Sequence, residues 1–318
     1  MRQKDGRLSV LAFLSRQARW ALPAGVFVGI VLPDLARLLR PLLTAAVIGT
    51  LTGALLRLDW GRFADIGRRP LLPSTLALWH LLLSPLLVWV GSAAIGLPPD
   101  LRLVLLLQAA APPIGSAAVF ALILGLDGVL AALATVSATL LLPLTLTPLV
   151  VMLLPEAGVR VELIPFFVRV TLLVVVPFLI AAILRRGLGL ERIARGDAAL
   201  GGINVLLLVV FAIAVMDGVT ARLIADPGSV GSMLLTACIA AALLHLSGFL
   251  LFRRAGHTVA YTAAVLSGNR NVGLMLVITA GTAGEAFSLY VGLAQIPMYF
   301  APLLLSPFIR RSRAAGGA

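Results

Sequence analysis

Apolar and polar positions along this chain separate into long apolar stretches with the charges gathered between them. The stretches lie at about 20–35, 41–56, 72–95, 101–124, 128–154, 161–184, 200–217, 229–252, 258–280 and 286–309. Each approaches the roughly 20 residues an α-helix needs to cross a bilayer's hydrocarbon core. The pattern predicts an all-α polytopic membrane protein with ten transmembrane helices. Residues 1–17 are different: Arg2, Lys4, Arg7 and Arg16 alternate with Leu8, Val10, Leu11 and Leu14. That spacing suits an amphipathic helix lying on the cytoplasmic membrane surface. Its apolar run is short and broken by Ser15, Arg16 and Arg19, so it is expected to be retained rather than cleaved as a signal peptide.

Two of the ten stretches carry residues that a plain spanning helix avoids. The ninth contains Leu266-Ser267-Gly268-Asn269-Arg270-Asn271-Val272-Gly273-Leu274. A guanidinium at membrane depth costs at least a few kcal/mol unless it faces a cavity or a partner. The fourth contains Gln108-Ala109-Ala110-Ala111-Pro112-Pro113-Ile114-Gly115-Ser116. Adjacent prolines remove successive N–H donors and push Ala111 out of helical dihedrals. Breaks are therefore expected at Pro112, Pro113, Gly268 and Gly273.

A shift of 159 residues places the proline pair Pro143/Pro148 on Pro302/Pro307, Pro112 on Asn271 and Gly125 on Gly284. The same shift aligns the two interrupted stretches. Five stretches per repeat is an odd number, so the repeats insert with opposite orientation. The expected divisions are 18–156 and 157–309 for the repeats, and 310–318 for a basic cytoplasmic tail. Interrupted helices at matching places in two halves point to a transporter's binding site, crossing at mid-membrane.

Composition agrees with a membrane context. The chain has 318 residues, 60% of them hydrophobic and 12% charged, where soluble domains carry about 25% charged residues. Its net charge of +12 invites comparison with nucleic-acid binders. The arginines, however, lie mainly between apolar stretches, so no nucleic-acid partner is expected. Eighteen basic residues fall on one side and five on the other, which places both termini in the cytoplasm. The expected location is a bacterial inner (plasma) membrane. One cysteine, Cys238, excludes an internal disulfide and any cysteine-cluster metal site. The spans hold no interior Asp or Glu and only scattered histidines, so neither an enzyme nor a metal or other cofactor is expected.

The Ala111–Ala117 run, Leu124-Gly125-Leu126-Asp127, the Thr/Pro-rich end of the fifth stretch and Ser267–Leu274 together resemble the bile acid:sodium symporter family over essentially the whole chain. The resemblance implies a core domain and a panel domain that move organic anions by alternating access. It implies sodium ligands as well, and there the chain departs from the pattern. Ser116, Thr135 and Thr139 match hydroxyl positions. The position usually held by asparagine is Ala118, a glutamate position is Leu266, and glutamine positions fall on Arg270 and His80. A guanidinium has only donors and cannot ligate a cation. Arg270 can itself supply the positive charge that sodium supplies elsewhere, so sodium coupling is expected to be lost or altered. A symporter with one remaining ion site, an auxin-efflux-like carrier and a non-transporting receptor on the same scaffold stay open.

The expected partners are the lipid bilayer and a small organic anion bound near Gln108, Gly115, Ser116, Asn269, Arg270, Asn271 and Gln295. Possible ion or proton coupling falls on His80, Ser116, Thr135 and Thr139. Each has a plainer reading. Arg270 can serve only to satisfy broken backbone, His80 can be a neutral buried histidine, and the threonines can bond to their own helix carbonyls.

Overall fold

A computed structural model describes residues 10–11, 13–15, 17–58, 61, 71–153, 162–279 and 283–316. Every regular element among them is helical. In chain order these are α1 (Ala18–Val31), α2 (Pro33–Leu39), α3 (Leu43–Leu56), α4 (Leu71–Leu78), α5 (Ser84–Ala94), α6 (Pro99–Ala110), α7 (Ala117–Ile123), α8 (Gly128–Leu153), α9 (Leu163–Leu188), α10 (Leu190–Arg195), α11 (Asp197–Ala214), α12 (Val219–Ala225), α13 (Pro227–Phe252), α14 (His257–Gly268), α15 (Val272–Thr279) and α16 (Gly284–Gly316). A 3-10 turn joins α2 to α3, and a π-helical turn, Trp79–Leu83, joins α4 to α5.

Seven helical stretches are long and apolar enough to cross a membrane: Pro33–Leu56, Leu71–Ala94, Gly128–Leu153, Leu163–Leu188, Asp197–Ala225, Pro227–Ala255 and Gly284–Ser312. They mark an integral membrane protein. The other three expected spans fall short for physical reasons. Helix α1 has 14 residues, and the fourth and ninth stretches are each cut into two short helices, α6/α7 and α14/α15. The last helix continues to Gly316, so the basic residues after 309 extend a helix instead of forming a separate tail. The expected surface helix over 1–17 lies largely outside the described residues. Where it is described, Leu11 and Ser15 sit against Gly202 and Gly201 at the start of α11.

The helices pack as two groups. In one, α11 lies between α1 and α3, and α9 covers the other side of α3. In the second, α13 packs on α14 and α16, α5 on α6, and α8 on α4, α7 and α14. The groups meet along α8 with α9, α1 with α16, and α3 with α15. Arginines tie down the ends of the first group. Arg57 makes a two-pronged pair with Asp197 (Nε–Oδ1 2.6 Å, Nη2–Oδ2 3.0 Å), and Arg40 reaches Asp217 at 2.7 Å. Arg185 of α9 donates to the carbonyls of Leu56 and Leu58 at the C-terminal end of α3, where no intrahelical donor remains.

Gly125 and Gly284 both adopt positive φ, +67° and +78°. Side chains other than glycine rarely take that conformation, which here turns the chain sharply into α8 and α16.

Candidate functional site at the helix breaks

Both interruptions are written into the local sequence. Helix α6 ends at Ala110, and Ala111 is extended (φ −64°, ψ 142°) as a residue before proline must be. Pro112 and Pro113 then offer no N–H to continue a helix. Helix α14 ends at Gly268, and the chain passes through Asn269, Arg270 and Asn271 before α15 begins. The two breaks meet and pair as a short antiparallel bridge between Pro113 and Arg270. Ile114 N–H donates to Asn269 O and Asn271 N–H donates to Pro112 O, both at 2.8 Å. Each break therefore supplies backbone partners for the other, as buried polar groups away from water require.

Arg270 completes the hydrogen bonding. It is 1% exposed and forms four hydrogen bonds: Nε to Ser267 O (2.7 Å), Nη1 to His80 O (3.1 Å) and Ala111 O (2.9 Å), and Nη2 to Ser84 Oγ (2.9 Å). The His80 carbonyl is free for a reason legible in the chain. Across the π-turn Ser84 N–H bonds Trp79 O, and the next donor in that register belongs to Pro85, which has none. At most one of the five guanidinium N–H groups therefore remains for a solute, which fits the plainer reading that Arg270 satisfies broken backbone. The guanidinium acts as a strut.

The histidines are similarly committed. His80 is fully buried, with Nδ1 2.6 Å from Leu76 O and Nε2 3.3 Å from Ser267 Oγ. Trp79 Nε1 also donates to that hydroxyl. A carbonyl beside Nδ1 fixes the proton there and leaves Nε2 as the acceptor. His245 repeats the arrangement, with Nδ1 against Ala241 O and Nε2 against Asn269 Nδ2. It packs so closely on α14 that a Cβ on Gly268 would lie 1.7 Å from its Nδ1. Gly268 is thus a close-approach residue. So is Gly273, which lies inside α15 under the Phe211 ring, 2.3 Å from where a Cβ would stand. The break itself falls on Asn269–Asn271, between the two glycines expected to mark it.

Beside the bridge lies a cleft with about 470 Å³ of empty space, counting its open mouth. Thr50 and Leu51 of α3 and Asn204 and Phe211 of α11 form one wall. Gly115, Asn271, and Gln295, Met298 and Tyr299 of α16 form the opposite one. Asn204 Oδ1, Gln295 Oε1 and Tyr299 OH are buried here without a hydrogen-bond partner among the described residues. A buried polar atom left unpaired costs about 1–3 kcal/mol. A second, apolar cleft adjoins it, sharing Leu51 and Gly115 and lined also by Thr135, Thr139 and Phe178.

The site residues expected from sequence divide accordingly. Gly115, Asn271 and Gln295 line the first cleft, and Arg270 reaches its edge. Asn271 Oδ1 caps α15 by accepting from Leu274 N–H. Gln108 is away from the cleft, accepting instead from Tyr290 OH. Asn269 turns its amide toward Val265 O and His245. Thr139 Oγ1 bonds Thr135 O, whereas Thr135 Oγ1 and Ser116 Oγ are buried without partners among the described residues. Sequence reading missed Asn204 and Tyr299. The signal for Asn204 was present, as the one amide in the apolar run from Leu200 to Met216. Tyr299 carried none, because an aromatic in a span is ordinary core.

No family model and no curated protein matches the chain.

Proposed function

We propose that the chain is a secondary transporter of the bile acid:sodium symporter type, carrying a small organic anion by alternating access without a strict need for sodium. The reading includes ten membrane crossings in two inverted repeats, with α1, α6/α7 and α14/α15 supplying the three crossings shorter than the rest. The observation that carries it is the cleft between the two helix groups, set against the paired breaks and holding three unpartnered polar atoms.

The inverted repeat is supported by the bridge. Pro112 and Asn271, which the 159-residue shift makes equivalent, are bonded to each other at one side of it. Gly125 and Gly284, equivalent under the same shift, share positive φ. The anionic charge of the solute is supported by α7 and α15, which begin beside the cleft at Gly115 and Asn271. Helix N-termini present the positive end of the helix dipole.

The test is uptake into proteoliposomes from a panel of organic anions, with sodium and with choline outside. The expected result is saturable uptake of at least one anion in both media. Uptake no greater than that of protein-free liposomes for every anion overturns the reading. A second reading, coupling to one cation, is favoured by the unpartnered Ser116 Oγ and Thr135 Oγ1. It predicts uptake in sodium only.

A further inference from the structure

The hydrogen-bond partners of Arg270 are all oxygens: the main-chain carbonyls of Ser267, His80 and Ala111 and the hydroxyl of Ser84, each 2.7–3.1 Å from a guanidinium nitrogen. The carbonyls come from three separate segments. Ala111 O lies just past the C-terminus of α6, and Ser267 O is in the last turn of α14. A helix C-terminus carries about half a negative charge, and two of them converge here. His80 O adds a third carbonyl, lacking its helical donor because of Pro85. Ser84 and His80 are themselves buried. Among the described residues Arg270 forms no ion pair with a carboxylate. Converging carbonyl and hydroxyl oxygens at two helix C-termini are also how proteins hold a bare monovalent cation at membrane depth.

We propose that Arg270 is a tethered counter-ion, whose guanidinium fills an oxygen cage that would otherwise require a diffusible monovalent cation to close the crossing. Two consequences follow. The parent protein assembles its crossing with no added cation. Removing the side chain turns the cage into a binding site for small monovalent cations, among which a planar guanidinium supplies donors that match the remaining acceptors most closely. The cage is defined by hydrogen bonds at the crossing and does not depend on the transport reading, so either can fail alone.

The test compares thermal unfolding of the purified full chain with Arg270→Ala, Arg270→Lys and Arg270→Gln. Each is measured in choline, sodium, potassium and methylguanidinium chlorides at equal ionic strength. The parent is expected to melt at one temperature in choline, sodium and potassium. Arg270→Ala is expected to melt lower in choline and to recover by about 3 °C or more, saturably, with methylguanidinium, and to a smaller degree with sodium or potassium. Arg270→Lys, which keeps a charge, is expected to melt above Arg270→Gln in choline. If Arg270→Ala does not fold in any medium, the Lys and Gln variants decide the question. The proposal is overturned if no cation shifts a folded Arg270→Ala, if Arg270→Gln melts as high as Arg270→Lys, or if sodium or potassium saturably raises the melting temperature of the parent.

Discussion

Arg270 Nη1 donates to the main-chain carbonyl of Ala111 over 2.9 Å, joining residues 159 positions apart. The contact reassigns the one intramembrane charge that the sequence places at the crossing, from solute to scaffold. Substitution should therefore damage folding before binding. Arg270→Gln is expected to lower the unfolding free energy by about 3 kcal/mol, since several charge-assisted bonds are lost and carbonyls are left unpaired. Denaturant unfolding in micelles measures this, and an unchanged stability would return Arg270 to the solute.

Gly268 gives the sharpest steric prediction. Its missing Cβ leaves room for the His245 ring, so Gly268→Ala should cost about 1–3 kcal/mol, typical of overpacking. His245→Ala should also destabilise, because Asn269 Nδ2 loses an acceptor. The double variant should be less damaged than the sum of the two, because removing the ring relieves the clash. Strict additivity in a thermal-shift cycle would mean that the close approach carries no strain.

Tyr299→Phe separates binding from stability. The hydroxyl has no partner among the described residues, so its loss should leave the melting temperature unchanged or slightly raised. A solute that uses it should lose about 1 kcal/mol of affinity, roughly fivefold. Isothermal titration with whichever anion the uptake panel identifies is the measurement, and Asn204→Val should behave alike.

Replacing sodium by choline should leave uptake within about twofold under the favoured reading. Should uptake instead vanish, Thr135→Val and Ser116→Ala are expected to reproduce the defect in sodium, since both hydroxyl oxygens are buried without partners among the described residues.

Much of this was legible before any coordinates. Pro112-Pro113 and Gly268–Gly273 marked the interruptions because backbone chemistry at proline is local. The 159-residue register put them together, and two residue pairs 159 apart are bonded there, Ala111 with Arg270 and Pro112 with Asn271. What escaped was the direction in which side chains point. For Arg270 the sequence leaves a solute contact and a backbone strut both open, because its acceptors are carbonyls from distant segments, and a carbonyl has no signature in a sequence. The clue to one of them was Pro85, whose missing N–H matters only once residues 79–83 are known to wind as a π-turn. Gly273 and Gly268 read as helix breakers, yet their small size serves Phe211 and His245, residues that no local pattern associates with them.

Arg40–Asp217 and Arg57–Asp197 sit at opposite ends of one antiparallel helix pair, α3 and α11. Each is partly exposed and contributes at most about 1 kcal/mol, but together they fix register at both ends, as two rungs hold a short ladder. Under the transport reading, Thr50 and Leu51 on one rail and Asn204 and Leu208 on the other would shift as a single plank. A plank that rocks about its middle widens one mouth of a cleft only by narrowing the other. Mutual exclusion of the two openings would then need no separate gates: it would follow from the stiffness of a wall clamped at its edges.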